Sequence, residues 1–523
     1  MSGLFEKKVE RDGRREERLR QEQKEKRRSR STVIIVVAVL AVLFVAALIL
    51  NSGFIRRTLV AVTIDGVSFT AAEYDYFYRA AVYEYQEMLQ DMSQQMGTIP
   101  GGMMPSDHRP HASQIYDPQT GETWADFFRN MTFGNMSDLV ASYNAARRDD
   151  FVMPDEVRES IEESLAELRR MAESSGFSSF SSFLRAYYET PINEKTLRDL
   201  FDIIYTANSY RQHVFEALTY TPEQLENYYN ENRDTLDVYT YRYFIVKPEE
   251  VQITDYENTD DYEEAQAAAF DQAMQMAMEI AGSIASEEDF INAAREYDPL
   301  EFDDDDSTRR DYMGEILGGD YGPWLREAER EYGDVTVTVM GTSGIYVVFF
   351  VARNDNNYYM RDMRQILTLR DQVNIEDYIE DAEAYEAALA EADNYARERA
   401  EAALELFIAG GATEELLVEL MADHSDDWTE GGLYTEISRY YANNQMIDEV
   451  DQWLFDPSRQ IGDFELVRTE AYGYHLLYLT AFGERYSDFI AEGRMRENDY
   501  REWGEELIKH EAATHWALIL SNN

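Results

Sequence analysis

The first apolar stretch, Val33 to Leu50, runs without a polar side chain. As a helix rising ~1.5 Å per residue it would be about 27 Å long, close to the ~30 Å thickness of bilayer hydrocarbon. That pattern predicts a transmembrane helix. Lys24, Lys26, Arg27, Arg28 and Arg30 precede it, and only Arg56 and Arg57 follow closely. The positive-inside rule then makes 1–31 a basic cytoplasmic tail, 32–51 a signal anchor and the rest extracytoplasmic, the topology of a single-pass protein of the cell membrane. Asn51-Ser52-Gly53 lacks a small-x-small cleavage site, so the anchor is expected to stay attached.

Beyond residue 58 the periodicity changes. Leu59 to Ile64, rich in β-branched residues, reads as a strand, Asp65-Gly66 is a hairpin turn, and Val67-Ser68-Phe69 begins the return. Thr70 with Glu73 forms a capping box that opens a Tyr-rich helix to about Gln90. Residues 93–122 are rich in Gly, Pro, Met and Ser and read as a loop, with His108 and His111 expected in solvent. From Pro154 to about Thr219 the pattern is helical, broken at Gly176 and capped again at Asn193. Thr221-Pro222-Glu223-Gln224 caps a short helix ending near Asn232, and Val238 to Val246 reads as a strand.

The rest of the chain carries a duplication. Trp324-Leu325, Arg330, Gly333-Asp334 and Tyr346 recur at the same spacing as Trp453-Leu454, Arg459, Gly462-Asp463 and His475. Each copy opens with a strand, Tyr243 to Val246 and Gln365 to Thr368, and closes with another, Val347 to Val351 and Leu476 to Leu479. Two α+β domains follow, each with helices between its strands and one helix expected to end in Gly-Asp.

Composition narrows the functional classes. The chain has 523 residues, 48 Lys+Arg against 102 Asp+Glu, and a net charge of −54, which argues against a nucleic-acid partner. Residues 1–57 hold 14 basic and 7 acidic side chains, so the acidic excess lies in the remainder and is read as a solubilising surface. The absence of cysteine excludes disulfides, thiolate catalysis and Cys-based zinc sites. No His-Glu-x-x-His or Gly-x-Ser-x-Gly motif is present, and Asp303 to Asp306 lacks the spacing of a calcium loop, so neither cofactor nor metal is expected.

The second copy resembles a parvulin-type (PpiC-type) peptidyl-prolyl isomerase domain. The matching residues are Arg364-Gln365-Ile366-Leu367, Ser425-Asp426-Asp427, Gly431-Gly432-Leu433, Gln445-Met446, Phe455, Gly462 and Tyr472-Gly473-Tyr474-His475. Residues 59–90 and Thr221 to Asn232 resemble the helical chaperone domain of the PrsA/SurA foldases. The resemblance implies a helical chaperone domain over 52–235, a degenerate parvulin-like domain over 236–356 and a second parvulin-like domain over 357–486. It also implies that 487–523 packs back on the chaperone domain through Trp503, Leu507, Trp516 and Leu518.

By the same resemblance His475, Asp427 and Gln365 supply the catalytic polar groups, and Leu433, Met446, Val450 and Phe455 line a slot for the proline ring. Gln365 stands where the family usually has His, and Val450 where an aromatic is common. Tyr243 and Tyr346 replace both histidines in the first copy, which implies a non-catalytic domain. Read without the family, His475 on an apolar strand is a core histidine bonded to a neighbour.

The resemblance thus implies a membrane-anchored extracytoplasmic foldase acting on unfolded or newly secreted proteins that contain prolines. Two other readings stay open: a catalytically inactive holdase on a parvulin fold, and a structural cell-envelope interaction protein. The 37 tyrosines and 20 methionines suit either chaperone reading, since both side chains adapt to irregular apolar partners. The sequence sets no oligomeric state.

Overall fold

The computed structural model describes residues 53–96, 103–106, 108–256, 258–302, 307–339, 344–378, 381–439, 447–507, 509 and 511–520, together with Val37 and Val39. Among the described residues the chain is α+β, with fifteen α-helices and four sheets. It divides into two units, Met1–Leu218 with Asp499–Asn523, and Thr219–Asn498.

The expected transmembrane segment lies outside the described residues apart from Val37 and Val39. Among the described residues no helix is long and apolar enough to cross a membrane. Those of sufficient length, such as Ala71–Met96, Trp124–Arg148 and Ala382–Ala409, carry charged side chains along their course. That finding runs against the expected N-terminal transmembrane helix and the single-pass placement built on it, neither of which the described residues show. Asp303 to Asp306 also lies outside the described residues.

In the first unit the local signals act as read. Asp65 and Gly66 have φ of 41° and 80°, the paired positive values of a tight hairpin between Val60–Ile64 and Val67–Thr70. The Thr70 amide donates to Glu73 Oε2 at 2.7 Å, and the Glu73 amide to Thr70 Oγ1 at 3.3 Å, closing the capping box. The helix then runs to Met96, past the expected end, because the Met and Gln residues of 91–96 are good helix formers. Asn193 caps Glu194–Ala217 by accepting from the Thr196 amide at 3.0 Å.

Ala61, Val62, Ile64 and Phe69 of the hairpin are buried in one core with Tyr74, Phe128 and Met136. His111 departs from expectation. Its Nδ1 lies 3.0 Å from the Tyr78 hydroxyl and its ring sits 5.1 Å from Phe128, so it is half-buried, whereas His108 is exposed. At the other end of the chain, Ala513–Thr514 adds a strand beside Val60–Ile64, and the His515 amide donates to Ala61 O at 2.8 Å. Trp503 and Leu507 pack on Ala145, Ala146 and Tyr210, and Ala517 and Leu518 join the hairpin core. Trp516 is exposed instead.

The second unit contains two four-stranded antiparallel sheets built in the same order. Each lobe has an opening strand (Val238–Val246; Tyr359–Leu369), two helices (Thr259–Ser283 and Glu287–Tyr297; Ala382–Ala409 and Glu414–His424) and an edge strand (Arg309–Met313; Leu433–Ile437). A short helix (Tyr321–Leu325; Asp448–Leu454) then leads to a hairpin whose second arm is the closing strand (Ile345–Asn354; Gly473–Arg485). Opening and closing strands pair at the sheet centre in equivalent register, Tyr243 opposite Val348 and Ile245 opposite Tyr346, Gln365 opposite Leu477 and Leu367 opposite His475.

The repeated Gly-Asp pairs do the same work twice. The Gly333 amide donates to Phe350 O at 3.0 Å and the Gly462 amide to Leu479 O at 2.9 Å. Their φ values of 95° and 93° require glycine. Neither pair ends a helix, contrary to expectation, because the short helices stop at Leu325 and Leu454. The chain turns there so that Arg330 stacks on Trp324 at 4.4 Å and Arg459 on Trp453 at 4.6 Å.

Candidate functional site

Successive strand residues face opposite sides of a sheet, and this alternation sorts the second lobe. Ile366 and Leu476 meet Phe407, Leu417 and Met421 beneath the two long helices. Met363, Leu477 and Leu479 face the other way, into a cluster with Ile437, Val450, Trp453, Leu454 and Phe455. Gln365 and His475 share that second face by parity. Both are buried, with 7% and 3% exposure.

A directed chain of hydrogen bonds joins them to the loop after Glu414–His424. Asp427 Oδ2 accepts from the Gln365 amide nitrogen at 2.8 Å and from the Tyr434 hydroxyl at 2.9 Å. A carboxylate only accepts, so Gln365 must turn its NH2 to Asp427 and its Oε1 to His475. That oxygen lies 2.8 Å from His475 Nδ1, which therefore carries the imidazole proton. His475 Nε2 is left to accept from the Thr469 hydroxyl, 3.1 Å away. Thr429 donates its amide to Asp427 Oδ1 at 2.9 Å and its hydroxyl to Tyr434 at 2.9 Å.

Electrostatics match this proton assignment. Burial pushes His475 down to about 4, although the carboxylates of Glu449 and Asp427 pull upward. It is neutral at pH 7. Burial pushes Asp427 up, but donors from Thr429, Gln365 and Tyr434 outweigh it and hold the carboxyl below its ordinary value. Asp427 is therefore the fixed negative end of a neutral relay.

The structure thus brings His475, Gln365 and Asp427 together. Leu433 stands on the edge strand opposite Arg364, 37% exposed. Val450 and Phe455 are core residues at 1% and 8% exposure, and Phe455 meets Tyr358 edge-on at 5.5 Å. Arg361 and Arg439 lie over the Phe455 ring at 5.5 and 5.3 Å. Met446 and its neighbour Gln445 lie outside the described residues. Tyr434, Thr429 and Thr469 are polar members that sequence reasoning did not name. For Thr469 a cue existed: it pairs with Gly473 across the tight hairpin that presents His475.

The first lobe fills the equivalent place with rings. Tyr346 stacks on Tyr243 at 5.5 Å and 27°, Tyr321 lies 5.8 Å from Tyr346, and Arg310 covers Tyr243 at 5.0 Å. Two strand positions that carry an amide–imidazole bond in one lobe carry an aromatic stack in the other.

No family model matches the chain, and no curated protein matches it. Among solved structures it is weakly similar to PrsA from Bacillus subtilis, at 11% identity over 54% of this chain and 91% of that chain. The TM-score of 0.13 is too low to carry an argument, and the site's chemistry has to be judged from its own geometry.

Proposed function

We propose that the chain is a foldase: its second lobe binds unfolded polypeptides that contain proline and speeds cis–trans rotation of their prolyl bonds. The first lobe holds polypeptide without catalysing rotation. The observation that carries this reading is the neutral, desolvated His475 locked through Gln365 to Asp427. Prolyl rotation makes and breaks no covalent bond, and its barrier of about 18–20 kcal/mol comes from amide resonance. A catalyst therefore needs fixed dipoles in a dry place, arranged for the twisted amide, more than it needs an acid or a base. A buried imidazole with one defined tautomer supplies a dipole of that kind. The tyrosine stack of the first lobe offers contact area without such a relay.

A second reading, a holdase without isomerase activity, is favoured by the burial of Val450 and Phe455, whose side chains are committed to the lobe's own core. Both readings are separated by measuring prolyl isomerisation and suppression of client aggregation on the full chain and on His475→Ala. The foldase reading expects acceleration that falls roughly tenfold or more in the variant. Aggregation suppression without acceleration leaves the holdase. Failure in both assays removes both.

A further inference from the structure

Trp428 is 99% exposed, yet the backbone on either side of it is tied down. Ser425 Oγ accepts from the amides of Leu367 and Asp427, each at 3.1 Å. The Asp426 carboxylate accepts from the Leu369 amide at 2.8 Å and pairs with Arg399 at 2.9 Å. Asp427 is held by Gln365 and Tyr434, and Thr429 by Asp427 and Tyr434. The indole therefore stands on a fixed base beside the relay. Large aromatic surface presented with so little backbone freedom is well suited to contact, because few rotations are lost on binding.

The cations at this loop are already matched, Arg399 by Asp426 and Arg364 by Glu414, which leaves the uncompensated charge next to the indole acidic. The charged groups that bear on His475 are the carboxylates of Glu449 and Asp427. Glu430 is exposed two residues beyond Trp428, while the charge of Asp426 is already matched by Arg399. Indole is the best aromatic acceptor for a cation, and an acidic rim raises the local concentration of cations.

We propose that Trp428, flanked in the chain by the carboxylates of Asp427 and Glu430, forms a specificity subsite that selects polypeptides carrying Lys or Arg beside the proline. The flanking cation lies over the indole face while the proline sits nearer His475. This deepens the foldase reading and rests on the second lobe binding proline-containing chains.

The test uses the full chain and three labelled peptides that differ only in the residue before proline: Lys, Phe or Glu. Binding is measured by fluorescence anisotropy at low and high salt, and isomerisation is measured on the same peptides. The Lys peptide is expected to bind roughly three- to fivefold tighter than the Phe peptide, with the Glu peptide weakest. Its advantage should shrink in high salt and disappear in Trp428→Ala, with Trp428→Phe retaining part of it. Trp428 is exposed, so neither variant disturbs a core contact. Equal binding of the Lys and Phe peptides, or a Lys preference unchanged in Trp428→Ala, overturns the subsite. Acceleration of all three peptides without preference overturns the subsite and upholds the foldase. A Trp428-dependent Lys preference without acceleration upholds the subsite and overturns the isomerase. If none of the peptides binds, both are overturned.

Discussion

His475 Nδ1 lies 2.8 Å from Gln365 Oε1, across the central strand pair of the second lobe. The first lobe has the same register at that place, with Tyr346 stacked on Tyr243. One backbone frame thus supports two chemistries, a polar relay and an aromatic wall. The difference is decided by side chains alone.

Acid should weaken the fold through His475. Its ordinary value of 6.5 falls to about 4 in the folded chain because burial penalises the imidazolium. Above 6.5 the ring is neutral in both states. Between 6.5 and 4 the unfolded chain binds a proton that the folded chain refuses, so stability falls as pH falls, by about 3 kcal/mol across the window. Below it both states are protonated and this contribution is flat. Asp427 acts later and with the same sign, since its lowered value gives stability that is lost at still lower pH. Urea midpoints at pH 7, 5.5 and 4.5 should show a smaller loss in His475→Gln than in the parent chain. Parallel curves would mean that the ring titrates freely.

The relay should behave as a unit. Gln365→Leu leaves His475 Nδ1–H without an acceptor and takes one donor from Asp427, which predicts a loss of about 2–4 kcal/mol. Replacing both residues by tyrosine copies the arrangement of the first lobe. In a double-mutant cycle, Gln365→Tyr with His475→Tyr should cost less than the two single changes summed, by about 1 kcal/mol or more. Strict additivity would show that the aromatic stack of the first lobe depends on its surroundings and not on the pair.

What could be read in advance was local or periodic. Thr70 with Glu73 and Thr221 with Gln224 act within one helical turn, so their cap bonds follow from sequence alone. The spacing of Trp324, Gly333 and Tyr346 against Trp453, Gly462 and His475 was visible because each residue keeps its place in a repeated frame. The burial of Val450 and Phe455 is not legible in the sequence, for a different reason. Whether a short helix turns a side chain toward a groove or into the sheet depends on Leu477 and Leu479, strands away in sequence. Tyr434 and Thr469 escaped notice because they join His475 and Gln365 only through tertiary pairing.

Glycine at position 473 should be indispensable. Its φ is +133°, and a Cβ there would lie 2.5 Å from Thr368 O and 2.9 Å from Arg370 N. Gly344 repeats the feature in the first lobe, with φ of +139° and a Cβ position 2.6 Å from Ile245 Cγ2. Gly473→Ala is expected to cost about 3 kcal/mol or more and to loosen the hairpin that carries His475. Gly66→Ala is the control: φ is +80° but the space is open, so about 1 kcal/mol is expected. Hydrogen exchange at Leu476 and Leu477 should rise in the first variant alone.

Removing residues after Asn498 should destabilise the first unit. Trp503 and Leu507 cover Tyr210 and Ala145, and Ala513–Thr514 supplies the outer strand beside Val60–Ile64. Without them a buried tyrosine, a helix face and a sheet edge meet water together. Each large apolar side chain left uncovered loses about 1.5–3 kcal/mol of burial, and the open edge also loses the His515 amide bond to Ala61. The truncated chain is expected to be cleaved faster by protease within 53–218 and to lose exchange protection at Val62 and Thr63. The sheets of the second unit owe nothing to those contacts, so protection at Leu476 and Val347 should hold. Equal loss in both units would mean that the C-terminal segment supports the fold as a whole, and unchanged protection at Val62 would mean that the edge pairing carries no stability.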